Sequence, residues 1–326
     1  MGLPTDIIRY FQIFNGKHSE TNALMPRSLM EFLNDHPEAP RDSIQLSIVV
    51  NRLIREGLLT QVGATSSILV TNYYWSETVS LDENAVNYGV FDFVINGFPF
   101  IRQHFQGSVL PLVVMDSNDE HGIGTSFLID GMRLFTAAHC VKDMKSVQIP
   151  GWDPQRHPLS RIVVPTDPNL DIAFLEFEAD PFPQVPRFQF DTATILDDVL
   201  TMGYPPIPGF DSVQVSETAS VAGNLKSTTG QIITSASSYL DKQDYLLISA
   251  RIKGGNSGGP VVNKRGGVVG IISQEPSEFG QVDTLGFGVA VPSSIVTQWL
   301  NWRQPEATTI YSLPFEIIEG GMRTAI

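Results

Sequence analysis

Near the N-terminus the apolar residues repeat at helical spacing. Ile7, Tyr10, Phe11 and Phe14 share one face behind Pro4-Thr5-Asp6, a combination suited to a helix start, and Asn15-Gly16 ends the pattern. Leu29, Phe32 and Leu33 predict a second helix beginning near Ser28. Leu46, Val49, Val50 and Leu53 predict a third, with Gly57 placed as a C-terminal cap. The period then changes. Residues 58–62 and 67–71, separated by a turn at 63–66, predict a β-hairpin with a small, polar tip. Further along, short apolar runs recur between turn signals at 109–114, 134–138, 162–164, 172–177, 199–202, 245–250 and 268–272. That cadence predicts two packed antiparallel β-barrels. A last helical pattern, Ile295, Val296, Trp299 and Leu300, lies within 293–302.

A chain of 326 residues is long enough for two domains, and 42% hydrophobic with 17% charged residues describes an ordinary globular protein. The change of period divides it into a small α+β domain over 1–75, a connector over 76–106, a mainly β domain over 107–303 and a tail over 304–326. The connector carries Phe91, Phe93, Phe98, Phe100 and Phe105. A flexible linker would be polar and rich in Gly and Ser, so this segment is expected to pack and to fix the two domains against each other.

Charge and cysteine content narrow the setting. The net charge of −14 disfavours nonspecific nucleic-acid binding, which needs cationic surface. A single cysteine excludes an internal disulfide and favours a reducing compartment. The first residues have neither a basic n-region nor an apolar h-region, and no apolar run reaches membrane-spanning length. The expectation is a cytoplasmic protein with no membrane partner. His18, His36, His104, His121 and His157 are scattered, and no His/Cys/carboxylate cluster has metal-ligand spacing, so neither a metal nor a cofactor is expected.

Three segments carry chemistry. Thr136-Ala137-Ala138-His139-Cys140 comes first, Asp171-Ile172-Ala173-Phe174-Leu175-Glu176 second, and Gly254-Gly255-Asn256-Ser257-Gly258-Gly259-Pro260 third. A serine hydroxyl is a weak nucleophile at neutral pH. It needs a base in hydrogen-bond reach, and the base needs a carboxylate that fixes its tautomer. His139 is the candidate base and Ser257 the candidate nucleophile; Asp171 is the candidate orienter, with Asp143, Asp167 and Asp180 as rivals. The oxyanion of a tetrahedral intermediate needs backbone N–H donors. Gly255, free to adopt unusual backbone angles, and Ser257 are the candidate donors, and Gly258 and Gly259 are expected to leave room for a substrate backbone. The glycine-rich segment is not a phosphate loop, because no Gly-Lys-Ser/Thr follows.

These segments, in the order His, Asp, Ser, resemble a chymotrypsin-like (trypsin-fold) serine protease, and the Gly-Asn-Ser-Gly-Gly-Pro form is similar to the HtrA (Deg) branch and its bacterial relatives. The resemblance covers roughly residues 107–300. It favours Asp171, because an apolar strand follows it as the family pattern demands. Gly124-Thr125-Ser126-Phe127-Leu128-Ile129 resembles the strand before the histidine, Gly270-Ile271-Ile272-Ser273 a strand flanking the specificity pocket, and the stretch around Gly288 its far wall. The resemblance implies that Ser273 supports Asp171, that Arg251, Ser273 and Gly288 line the substrate site, and that the substrate is a protein or peptide. An arginine at 251 inside that pocket would favour an acidic side chain at the cleaved position; the alternative is an arginine facing solvent. The resemblance also shows departures. Asn256 stands where trypsin-like zymogens carry an aspartate, so activation through a new N-terminus is not expected. Cys140 keeps the family cysteine without a partner. The tail after 303 leaves no room for the PDZ domain usual in that branch.

Three helices and a hairpin resemble a winged helix-turn-helix, in which Val50 to Leu59 would be the end of the recognition helix and the start of the wing. Residues 1–80 hold six basic and eight acidic residues, a balance of −2 that is poor for a phosphate-binding surface. Arg41, Arg52 and Arg55 could still form a local patch. The reading that results is a cytoplasmic serine endopeptidase whose N-terminal domain recruits a protein substrate or controls access, in a regulatory or defence setting. The alternatives are a DNA-binding regulator and a protein-binding scaffold carrying a protease fold.

Overall fold

The computed structural model describes residues 2–12, 17–18, 24–63, 71–76, 82–149, 151–153, 155–206, 224–238, 242–273, 287–301, 308–311, 315–318 and 321–324. The chain divides into two compact units, Met1–Phe100 and Ile101–Ile326.

The first unit contains the helices that the apolar spacing predicts. Leu3–Tyr10 has proline in its first turn, and Ile7, Ile8 and Phe11 are buried. Phe14 lies outside the described residues. Leu29–Asp35 begins with a capping box: the Ser28 hydroxyl accepts from the Glu31 N–H, and the Glu31 carboxylate accepts from the Ser28 N–H at 2.8 Å. Ser43–Arg55 is capped by Asp42, whose carboxylate accepts from the Ile44 N–H at 2.9 Å. It buries Leu46, Val49, Val50 and Leu53. Gly57, at φ +69°, ends it in the left-handed region. The strands Arg27–Ser28, Tyr73–Trp75 and Thr60–Gly63 form an antiparallel sheet with Tyr73–Trp75 in the centre. The second hairpin strand was expected at 67–71. Residues 64–70 lie outside the described set, and the observed partner strand is Tyr73–Trp75.

The aromatic connector is helical, and it is not a separate element. Glu83–Tyr88 is one helix, and Val90–Phe105 is broken at Gly97 (φ +72°, ψ −169°), two residues before Pro99. Ile95, Phe91 and Val94 join the core built on Ile7, Phe32 and Leu53, so this stretch completes the N-terminal unit. The unit therefore ends at Phe100, not at residue 75 as the hairpin suggested.

The second unit holds two sheets. Asp198–Gly203, Lys226–Ser237, Asp244–Ile248, Gly288–Pro292, Val268–Ile272 and Pro260–Asn263 close into an antiparallel barrel in that spatial order. Its core contains Val199, Ile232, Ile248, Val261, Val269 and Ile272. The other sheet, in the place of the first barrel, has nine strands among the described residues. Its centre is Leu159–Pro165, Ala173–Phe177, Arg133–Thr136, His121–Leu128, Val109–Met115 and Ser146–Gln148. Among the described residues, the two outer strands of this set pair with tail segments. Leu159–Pro165 pairs with Thr308–Tyr311, and Ser146–Gln148 pairs with Gly321–Thr324. Tail segments thus occupy both edges. Ser293–Asn301 is the C-terminal helix, with Val296 and Trp299 buried.

Candidate active site

Each chemistry-bearing residue sits just beyond the end of a buried strand or in a loop between two, where backbone groups are free of ladder pairing. His139 lies in a short 3₁₀ turn, Ala138–Cys140, directly after Arg133–Thr136. Asp171 precedes Ala173–Phe177, which pairs with Arg133–Thr136. That one strand pairing brings residues thirty-two positions apart into contact. The Asp171 carboxylate accepts from the His139 backbone N–H at 2.9 Å and from the imidazole Nδ1 at 2.8 Å. It also accepts from the Ser273 hydroxyl at 2.6 Å, the support that the resemblance implied. The expected rivals are engaged elsewhere or exposed: Asp180 pairs with Arg187, and Asp143 and Asp167 face solvent.

The electrostatics follow from this arrangement. Burial alone would lower the His139 pKa, but hydrogen bonding to Asp171, then contact with Cys140, outweighs it and raises the value above ordinary histidine. Burial would raise the Asp171 pKa, and His139 and Ser273 hold it below the usual carboxylate value instead. The imidazole stays one-third exposed while the carboxylate is 17% exposed, so the open side of the pair is its histidine end.

Ser257 lies in the loop before Pro260–Asn263 and joins this cluster through its backbone. Its carbonyl accepts from the Thr125 N–H at 2.8 Å and lies 3.7 Å from the Cys140 sulfur. Among the described residues no hydrogen bond links the Ser257 hydroxyl to the imidazole. His139 Nε2 instead faces Cys140 Sγ at 3.5 Å. Among the described residues, too, neither the Gly255 nor the Ser257 N–H donates to another group of the chain. The neighbouring Asn256 N–H is spent on the Lys253 carbonyl at 3.0 Å. The two candidate oxyanion donors thus flank a peptide that is already anchored.

Two glycines in this loop have specific reasons. Gly255, at φ +93°, would place a Cβ 2.8 Å from Pro205 Cα and the Tyr204 carbonyl. Gly258, at φ +82°, has the Thr136 hydroxyl, the Thr125 carbonyl and the Ala137 nitrogen where a Cβ would stand. The room expected at Gly258 and Gly259 is therefore not left for substrate; the chain's own strands fill it, with Met202 against Gly259.

The three residues expected to line a substrate site are neighbours: the Ser273 N–H donates to the carbonyl of Val289, next to Gly288, and Gly288 meets Ile252, next to Arg251. Ser273 is spent on Asp171. Gly288 packs against Ile252 and Ile248. Arg251 is exposed and lines a cavity whose described wall includes neither of the others. Sequence reasoning also missed a residue. The fully buried Thr125 donates its hydroxyl to the Gly255 carbonyl at 2.6 Å and accepts from the Tyr204 N–H at 3.0 Å. It ties the His139 sheet to the Ser257 loop, and only its place beside Gly124 hinted at it. Gly124 itself leaves room for the Cys140 sulfur, 2.8 Å from where its Cβ would be. Among the described residues no group of three or more His, Cys, Asp or Glu could hold a metal ion, and no helix is long and apolar enough to cross a membrane.

This strand-end assembly coincides with a family match: residues 124–271 match the trypsin-like peptidase domain. The chain carries a trypsin-like peptidase domain. Among curated proteins, it is 30% identical over 204 residues to a probable periplasmic serine endoprotease DegP-like of Pseudomonas fulva, covering 60% of this chain and 39% of that protein. It is 29% identical over 175 residues to a serine protease of Mycobacterium tuberculosis, covering 50% of this chain and 39% of that one. The chain thus spans well under half the length of these relatives. A solved structure of a M. tuberculosis protease in its active form aligns at 23% identity and a TM-score of 0.46, over 62% of this chain and 82% of that one. The peptidase domain's match ends inside the closed barrel and includes His139, Asp171 and Ser257.

Proposed function

We propose that the chain is a serine endopeptidase of the HtrA/Deg type that cleaves peptide bonds through an acyl-enzyme. The observation that carries this is the 2.8 Å contact of His139 Nδ1 with an Asp171 carboxylate that also holds the His139 N–H and the Ser273 hydroxyl. That arrangement fixes the imidazole with Nδ1 protonated and Nε2 free to act as a base. The Ser257 hydroxyl would replace the Cys140 sulfur at Nε2 and give up its proton as its oxygen bonds to the substrate carbonyl carbon. The N–H groups of Gly255 and Ser257 would hold the oxyanion. Collapse breaks the C–N bond, with His139 returning the proton to the leaving amine; water then repeats the sequence to release the acid and restore Ser257.

The test is a fluorophosphonate reagent on the folded full chain, with dye-labelled casein as substrate. One adduct mapping to Ser257, and cleavage absent from Ser257→Ala, are the expected results. A folded protein that takes no adduct would overturn the reading in favour of a scaffold. The labelling rate should rise with pH through a midpoint above 6.5, because the raised imidazole must lose its proton before it can act as a base. Asp171→Asn should move that midpoint down, since the carboxylate is the leading cause of the rise. An unchanged midpoint would count against His139 as the base.

The N-terminal unit is read as a winged-helix-like module that contacts protein. On the Ser43–Arg55 helix, Ile44 and Ile48 are 71% and 48% exposed, and the Arg52 guanidinium donates to the Ile95 carbonyl at 2.8 Å. A phosphate-binding face would show the reverse. A gel shift with duplex DNA at about 50 mM salt is expected to show no complex. A shifted band weakened by Arg55→Ala would favour the DNA-binding alternative. The single cysteine supports a reducing, cytoplasmic setting; recovery of the protein from an oxidising compartment by cell fractionation would overturn that.

A further inference from the structure

Thr125 is fully buried in the strand His121–Leu128, and all of its polar atoms are engaged. Its hydroxyl donates to the Gly255 carbonyl at 2.6 Å and accepts from the Tyr204 N–H at 3.0 Å. Its backbone N–H donates to the Ser257 carbonyl at 2.8 Å, and its carbonyl accepts from the Thr136 hydroxyl at 2.8 Å. Any residue at this position would supply the two backbone bonds. The bond to Gly255 needs a hydroxyl, and a valine would fill nearly the same space without one.

The peptides of the Ser257 loop are held one after another. Gly255–Asn256 is held at both ends, its carbonyl by the Thr125 hydroxyl and its N–H by the Lys253 carbonyl at 3.0 Å. Asn256–Ser257 is held at its carbonyl, by the Gly259 N–H at 2.9 Å. Ser257–Gly258 is held at both ends, its carbonyl by the Thr125 N–H and its N–H by the Ile272 carbonyl at 2.7 Å. The N–H groups of Gly255 and Ser257 remain, and among the described residues they donate to no group of the chain. Of all these holds, only the one on the Gly255 carbonyl comes from a side chain.

We propose that Thr125 is a positioning residue: by holding the Gly255 carbonyl, its hydroxyl sets the direction of the Gly255 N–H and so one half of the oxyanion site. This role rests on the serine endopeptidase reading above. Gly255, at φ +93°, has no side chain to restrict its torsions, so its orientation comes from hydrogen bonds and from what packs on it. Both lead to Thr125. The backbone that leans on Gly255 is Tyr204–Pro206, and the Tyr204 N–H is bonded to the same hydroxyl. The Tyr204 hydroxyl, in turn, donates to the Val109 carbonyl at 2.9 Å. A buried carbonyl that loses its donor is costly to leave unpaired. The released Gly255 carbonyl would turn toward another donor, and its N–H would turn with it. Stabilisation of an oxyanion depends on donors fixed before the charge develops. The loss therefore falls on the transition state and not on the bound substrate.

The test compares Thr125→Val and Thr125→Ala with Thr125→Ser in the full chain. Dye-labelled casein is the substrate, and active sites are counted by fluorophosphonate carried to complete labelling. In the valine and alanine variants kcat per counted site should fall about 10²-fold, the size of one lost oxyanion donor, with KM unchanged. Thr125→Ser should retain the wild-type rate. The pH midpoint of labelling should not move, because Thr125 bonds neither His139 nor Asp171. An unchanged kcat per counted site, a change confined to KM, a serine variant as slow as the valine one, or a shifted midpoint would each overturn the role. Valine and alanine variants that fail to fold where the serine variant folds would overturn it too, since the hydroxyl would then serve folding. Wild type that takes no adduct and cleaves no casein overturns the peptidase reading itself. Active wild type beside an equally active Thr125→Val overturns only the role of Thr125.

Discussion

Asp171→Asn is expected to lower kcat/KM about 10⁴-fold while leaving the peptidase domain folded. The carboxylate accepts from the His139 N–H, from His139 Nδ1 and from the Ser273 hydroxyl. An asparagine of the same shape keeps one acceptor oxygen and turns an NH₂ toward one of those donors. The arrangement relaxes most easily if the imidazole shifts its proton to Nε2, which then cannot accept one from Ser257. The loss should therefore appear in kcat/KM, with the thermal midpoint changing far less than for a core substitution. Kinetics on protein counted by active-site titration, beside a thermal melt, separate the two effects. A loss below about tenfold, less than a general base usually contributes, would show that Asp171 holds the loop and does not orient the base.

Gly258→Ala should destabilise the second unit by roughly 2–5 kcal/mol, the sum of a left-handed backbone penalty and overpacking. At φ +82° the new methyl meets the Thr136 hydroxyl, the Thr125 carbonyl and the Ala137 nitrogen, none of them the far end of a flexible side chain. Gly254→Ala is the contrast: nothing lies within 4 Å of its Cβ position, and its φ is not in the left-handed region. It should be neutral or gain up to about 1 kcal/mol through the unfolded chain. Urea melts of both variants check the pair. Equal midpoints would mean that the Gly258 contacts relax without cost.

The Gly258 contacts show where sequence reasoning stopped. A Gly-Asn-Ser-Gly-Gly segment suggests space for a ligand, because glycine lacks a side chain. What occupies that space is decided by the neighbours, which here are the chain's own Thr125 and Thr136. Arg251 shows the same limit. Its place shortly before Ser257 was legible, but the Thr228 hydroxyl that holds its carbonyl comes from a strand distant in the chain. Thr125 was legible only as part of the strand before His139, and its role became visible through the Gly255 and Tyr204 groups that it joins.

By itself the sequence determined the elements whose signals are local: the first three helices of the N-terminal unit, the strand cadence of the peptidase domain and the candidate residues His139, Asp171 and Ser257. Periodicity, caps and loop composition act over a few residues, and these features need nothing more. The tertiary structure alone decided two further things: that residues 83–100 complete the first core, and that tail strands occupy both edges of the nine-stranded sheet. Each depends on contacts between residues far apart in the chain, where a free strand edge, an exposed apolar helix face or an open side of a glycine takes whichever partner the fold brings to it.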